Sequence, residues 1–88
     1  MDEIKGRAEK VLQKINAPDK EIAFKHIEGE SMMPDFWKDP QRATEKMKEM
    51  ASLQKEIESA KQIKELLDLG DQENLEELLG ELENLLYF

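Results

Sequence analysis

Few side chains in this sequence are equipped for chemistry. His26 is the only histidine, and no hydroxyl or carboxylate is spaced to pair it with a nucleophile. It reads as an exposed helix residue. A lone histidine among scattered carboxylates is equally poor as a metal site. The chain has no cysteine, which removes both thiolate ligands and disulfides and fits a reducing compartment. Its four glycines are never adjacent, and no calcium loop, phosphate-binding loop or dinucleotide fingerprint occurs. Asp35 and Asp39 flank the pair Phe36-Trp37, the one arrangement open to an acid–base reading. Turn formation and helix capping account for both carboxylates at less cost. The expectation is a chain that is not an enzyme and carries no cofactor or metal.

What remains is recognition by contact. Phe36 and Trp37 are large aromatics suited to plugging helix ends or anchoring an interface. Met32, Met33, Met47 and Met50 suit either an adaptable groove or, as the ordinary reading, a core. Charge is distributed unevenly. Residues 1–64 hold 13 basic and 13 acidic side chains, whereas residues 65–88 hold eight acids and no base, so the whole net charge of −8 lies in that last stretch. Glu76, Glu77 and Glu81 are its centre. Such a face repels phosphates, which disfavours direct nucleic-acid binding, and it favours a basic protein surface. The simpler reading is a solvated helix face.

Four helical segments must position these residues. Ile4, Ala8, Val11, Leu12 and Ile15 form one stripe of an amphipathic helix over residues 2–16. Asn16-Ala17-Pro18 breaks it. A second helix from about Pro18 to Met32 has a poor stripe (Ile22, Phe24, Ile27), and a kinked continuation of the first helix is the alternative. Residues 33–40 are expected to be irregular. Asp39 then serves as N-cap and Pro40 as first helical residue, with Arg42 where a capping box would need Glu or Gln. From Pro40 to Leu69, the steps between Ala43, Met47, Met50, Leu53, Ile57, Ala60, Ile63 and Leu67 average close to a coiled-coil seam. Gly70 is the left-handed terminator, and Asp71 caps the last helix. There Leu75, Leu78, Leu82 and Leu85 form a stripe that Leu79 and Leu86 widen. So short a connection forces helices 40–69 and 72–88 into an antiparallel hairpin. The predicted fold is all-α: that hairpin with one or two shorter N-terminal helices packed against it, in a single domain over residues 1–88. No signal sequence or membrane span is expected, and the compartment is expected to be cytoplasmic. The apolar finish Leu85-Leu86-Tyr87-Phe88 reads as a cut from a longer chain.

The segment Pro34-Asp35-Phe36-Trp37-Lys38-Asp39-Pro40-Gln41-Arg42-Ala43 closely resembles the Pro-Asp-aromatic-Trp-x-Asp segment of the bacterial peptide chain release factor 2 family. There it lies in the amino-terminal helical domain. The likeness runs from about Phe24 onward, through the long helix, acidic linker and Leu-rich helix, and residues 1–20 match only in being helical. The resemblance implies a part in translation termination at UAA and UGA codons, by docking on the ribosome within a full-length factor. Ribosomal proteins of the GTPase-associated region and the recycling GTPase factor are the implied partners. The family's codon-reading Ser-Pro-Phe and its Gly-Gly-Gln tripeptide do not occur here, so neither activity can be assigned to a residue of this chain. A stand-alone coiled-coil adaptor, self-associating through Leu75, Leu78, Leu82 and Leu85 as a homodimer, is the reading from a different class.

Overall fold

A computed structural model describes residues 2–86, and every regular element among them is helical. Helix α1 spans Asp2–Ile15, α2 Ala17–Ser31, a 3₁₀ turn Pro34–Lys38, α3 Pro40–Leu69 and α4 Gln72–Leu86. The expected hairpin of α3 and α4 is present, and both shorter helices pack against it. Tyr87 and Phe88, on which the reading of a cut end rests, lie outside the described residues.

The long axis follows from α3. Thirty helical residues at 1.5 Å each give about 45 Å, and the molecule measures 51 × 25 × 17 Å. Two different sets of partners share this rod. Toward its carboxyl end, Ala60 and Ile63 join Ile4, Ala8, Val11 and Ile15 of α1 and Leu75, Leu79 and Leu82 of α4 in one buried cluster. Toward its amino end, α2 runs antiparallel along it. Lys20 meets Glu56 at 3.3 Å, Ile27 lies by Lys46 and Glu49, and Glu30 lies by Arg42. This α2–α3 contact is the most extensive in the molecule.

The break between α1 and α2 is a single residue. Asn16 has φ 52° and ψ 63°, left-handed. Pro18 brings it about, having no N–H to bond backward and a ring that crowds the preceding turn. Asparagine tolerates that geometry because its short amide can bond locally. Here Nδ2 donates to Asp19 Oδ2 at 2.7 Å. Both expected alternatives are thus partly right: the helices are separate, yet nearly end to end.

Gly70 ends α3 with φ +70°. Its N–H donates to the Leu67 carbonyl at 3.2 Å and the Asp71 N–H donates to the Leu66 carbonyl at 3.1 Å, the bond pair of a Schellman motif. Asp71 Oδ1 then accepts from the Asn74 N–H at 3.3 Å, starting α4 at once. A Cβ at Gly70 would meet nothing within 4 Å, so only backbone strain penalises a side chain. Gly70→Ala is expected to cost about 1–2 kcal/mol, and Gly70→Asn less. Urea denaturation of the two variants checks this, and equal midpoints would contradict it.

Several positions depart from the expected pattern. Leu85 is 75% exposed, whereas Leu79 is fully buried. The buried stripe of α4 therefore runs through Leu75, Leu79 and Leu82, because α1 and α3 approach that side of the helix together. Met47 is 40% exposed and Met32 and Met33 more so, so these methionines are not core filler. The segment 33–40 is not irregular but contains the 3₁₀ turn. No described helix is long and apolar enough to cross a membrane.

Candidate interaction surfaces

The turn between α2 and α3 is held by backbone and side-chain bonds rather than by burial. Pro34 opens it, with φ preset for a tight turn, and the Phe36 N–H donates to the Met33 carbonyl at 3.1 Å. Trp37 Nε1 donates to the Ser31 carbonyl at the end of α2, at 2.8 Å. This ties the turn to the helix before it. Phe36 and Trp37 pack edge to face, centroids 4.8 Å apart at 75°, an arrangement the ring quadrupoles favour. Lys38 Nζ reaches Asp35 Oδ1 at 3.0 Å.

Trp37 ties the turn to α2 but does not plug the helix ends. It remains 54% exposed. With Pro40, Ala43, Met47 and Ala51 of α3 it lines one open groove. Asp39 has the capping role expected of it: Oδ1 accepts from the Arg42 N–H at 3.2 Å while its carbonyl accepts from Ala43 at 3.0 Å. Asp35 thus stands in a surface ion pair and Asp39 in a helix cap. His26 is exposed and its Nδ1 sits 2.9 Å from Glu30 Oε1, one turn along α2.

The acidic end resolves into two faces. Glu73, Glu77 and Glu81 are exposed at successive turns of α4, forming one stripe that points away from the core. Glu76 stands on another side, beside Arg7 and Lys10 of α1. Two of the three acidic candidates, Glu77 and Glu81, therefore share a surface, and Glu76 does not belong with them. Glu83, which sequence reasoning left in the solvated run, is paired across the molecule. Arg7 donates to both its carboxylate oxygens, the Nε contact being 3.3 Å. No local signal could have revealed a partner 76 residues away.

That pair gives the fold a pH dependence with a definite sign. The hydrogen bond from Arg7 outweighs partial burial and, with the attraction of its charge, holds the Glu83 carboxyl below its ordinary value of 4.5. The same bond outweighs the desolvation of Arg7 and, helped by the charges of Glu83, Glu76 and Glu3, raises the guanidinium pKa above its ordinary value. A depressed carboxyl contributes stability above its unfolded value and loses it as pH falls through the folded one. Arg7 loses its share only in strong alkali, so the neutral range is a plateau. Both side chains are about a third exposed, which limits the pair to about 0.2–1 kcal/mol. Glu83→Gln is expected to be less stable than the parent at neutral pH. The gap should close as pH falls below the ordinary carboxyl range, read by thermal unfolding at several pH values; a constant gap would contradict it.

No family model matches the chain, and no curated protein or solved structure matches it. Among the described residues no group of three or more histidine or carboxylate side chains is placed to hold a metal ion. Self-association along α4 faces a geometric obstacle: Leu75 and Leu82 are already covered within one chain, so a seam through them would first have to open the monomer.

Proposed function

We propose that this chain is the helical docking domain of a bacterial peptide chain release factor acting at UAA and UGA codons in the cytoplasm, contributing contacts and no catalysis. The observation that carries the reading is the segment Pro34–Ala43. The stretch that resembles the family is one structural unit: a 3₁₀ turn tied to α2 by Trp37 and opened into α3 by the Asp39 cap. The stripe of Glu73, Glu77 and Glu81 is the surface best suited to a basic ribosomal protein or to the recycling GTPase factor, since it is exposed and held off the core.

The reading is tested with the chain itself. It is expected to sediment with bacterial ribosomes and, in excess, to slow peptide release by an intact release factor 2 on UGA-programmed ribosomes. Glu73→Lys/Glu77→Lys/Glu81→Lys should weaken both effects, because reversed rim charges chiefly lower association rates. A chain that neither sediments nor competes rules the reading out. Equal behaviour of the charge-reversed variant removes the acidic stripe from it.

A further inference from the structure

We infer that the joint at Asn16 is a conformational lock that holds the chain as a monomer, and that straightening it makes two copies exchange α1. The inference rests on the fold alone and is independent of the ribosomal reading. Asn16 is the only non-glycine residue with a positive φ among those described, and it is the only residue between α1 and α2. Its N–H still donates to the Leu12 carbonyl at 2.9 Å, and its own carbonyl accepts from the Lys20 N–H at 3.2 Å. One torsion pair therefore separates this bent arrangement from a single helix over residues 2–31, about 45 Å long.

That torsion pair controls the direction of the α1 stripe. Ile4, Ala8, Val11 and Ile15 are its buried members. In an unbroken helix the same face continues through Pro18, Ile22, Lys25 and Gly29. All four are exposed, and α2 faces α3 through Lys20, Phe24 and Ile27 instead. The left-handed residue turns one helix about its axis relative to the other, which is why Ile22 stands 69% exposed. Straightened, the chain keeps α2 on α3 and carries the α1 stripe round to the solvent side. Because α1 packs chiefly on α3 and α4 and least on α2, its departure uncovers the cluster of Ala60, Ile63, Leu75, Leu79 and Leu82. The surface complementary to that cluster is the α1 of a second copy, which restores the same core contacts reciprocally. Two features oppose this in the native chain. Asparagine accepts left-handed geometry, here with Nδ2 bonded to Asp19. Pro18 can neither donate to the Lys14 carbonyl nor fit its ring beside it in a continuous helix.

The lock is tested by substitution at the joint. The parent chain and Asn16→Gly, which keeps left-handed geometry without strain, are expected to sediment as monomers after refolding at about 0.1 mM, below the millimolar effective concentration of a tethered segment. Asn16→Ala/Pro18→Ala removes both obstacles and should refold as a dimer, with a dissociation constant at least about 30-fold below that of the parent. Asn16→Ala alone should shift the same way by a smaller factor, and circular dichroism confirms that each variant keeps its helices. Arg7 and Glu83, paired within one chain, report the exchange. In the double-alanine background, Arg7→Glu and Glu83→Arg each set like charges together in a homodimer. Refolded as a mixture, they restore both pairs only if α1 has crossed between copies. Native mass spectrometry should then show a heterodimer-to-homodimer ratio at least about twofold above the statistical value. A double-alanine variant that stays monomeric at about 0.1 mM, an Asn16→Gly dimer as tight as that of the double-alanine variant, or a statistical mixture of dimers overturns the proposal.

Discussion

Leu79→Ala is expected to destabilise the fold by about 2–5 kcal/mol, the largest single-residue effect proposed for this chain. Leu79 is fully buried where α1, α3 and α4 meet, with Ala8, Ile63 and Leu75 in the same cluster. Removing its branched end forfeits the transfer energy of three carbons and leaves a cavity that three rigid helices close only in part. In a domain of this size each kcal/mol lowers the unfolding temperature by about 4–8 °C, so the loss should be at least about 8 °C. Leu85→Ala, on the same helix but 75% exposed, should change stability by no more than about 0.5 kcal/mol. Thermal unfolding of the pair followed by circular dichroism is the check. Similar midpoints would mean that α4 is rotated from the orientation described.

Adding volume to the same core should also be costly. Ala8 is fully buried, a small side chain that lets α1 sit close on the other two helices. Ala8→Leu inserts three carbons where no space exists, forcing off-rotamer side chains or separation of α1, at about 1–3 kcal/mol. Ala51→Leu supplies the control, since Ala51 is exposed on the open side of α3 and should be near neutral in stability. Urea midpoints distinguish them. Extra volume tolerated equally at both positions would show that α1 does not pack as described.

The two substitutions together probe the feature that organises the molecule: one long helix shared by two sets of partners. At one end α3 belongs to a three-helix cluster with α1 and α4; at the other it pairs with α2 and carries the tryptophan turn. The candidate surfaces fall at opposite ends for this reason. The acidic stripe of α4 lies at the clustered end, and the groove beside Trp37 lies where the third helix is missing.

Much of this is local and was therefore readable from residue order. The period of Ile4, Ala8, Val11 and Ile15 marks α1 because every member turns toward the same side of a helix. Asp39 with Pro40, and Gly70 with Asp71, mark helix ends because a carboxylate cap and a left-handed glycine act within one turn of themselves. Helix α2 was hard to read because it carries apolar residues on two sides: Ile27 is buried against α3 while Ile22 is 69% exposed. What residue order could not supply were relations between distant segments. Whether Leu79 or Leu85 is buried depends on where α1 and α3 lie around α4, and periodicity alone permits either. The partner of Glu83 is Arg7 only because α1 returns to the far end of the chain. Trp37 stays half in water because α1 packs at the other end of α3. Helix starts, stops and faces come from forces acting over a few residues; which faces meet is set by the packing of whole helices, and only the tertiary structure decides it.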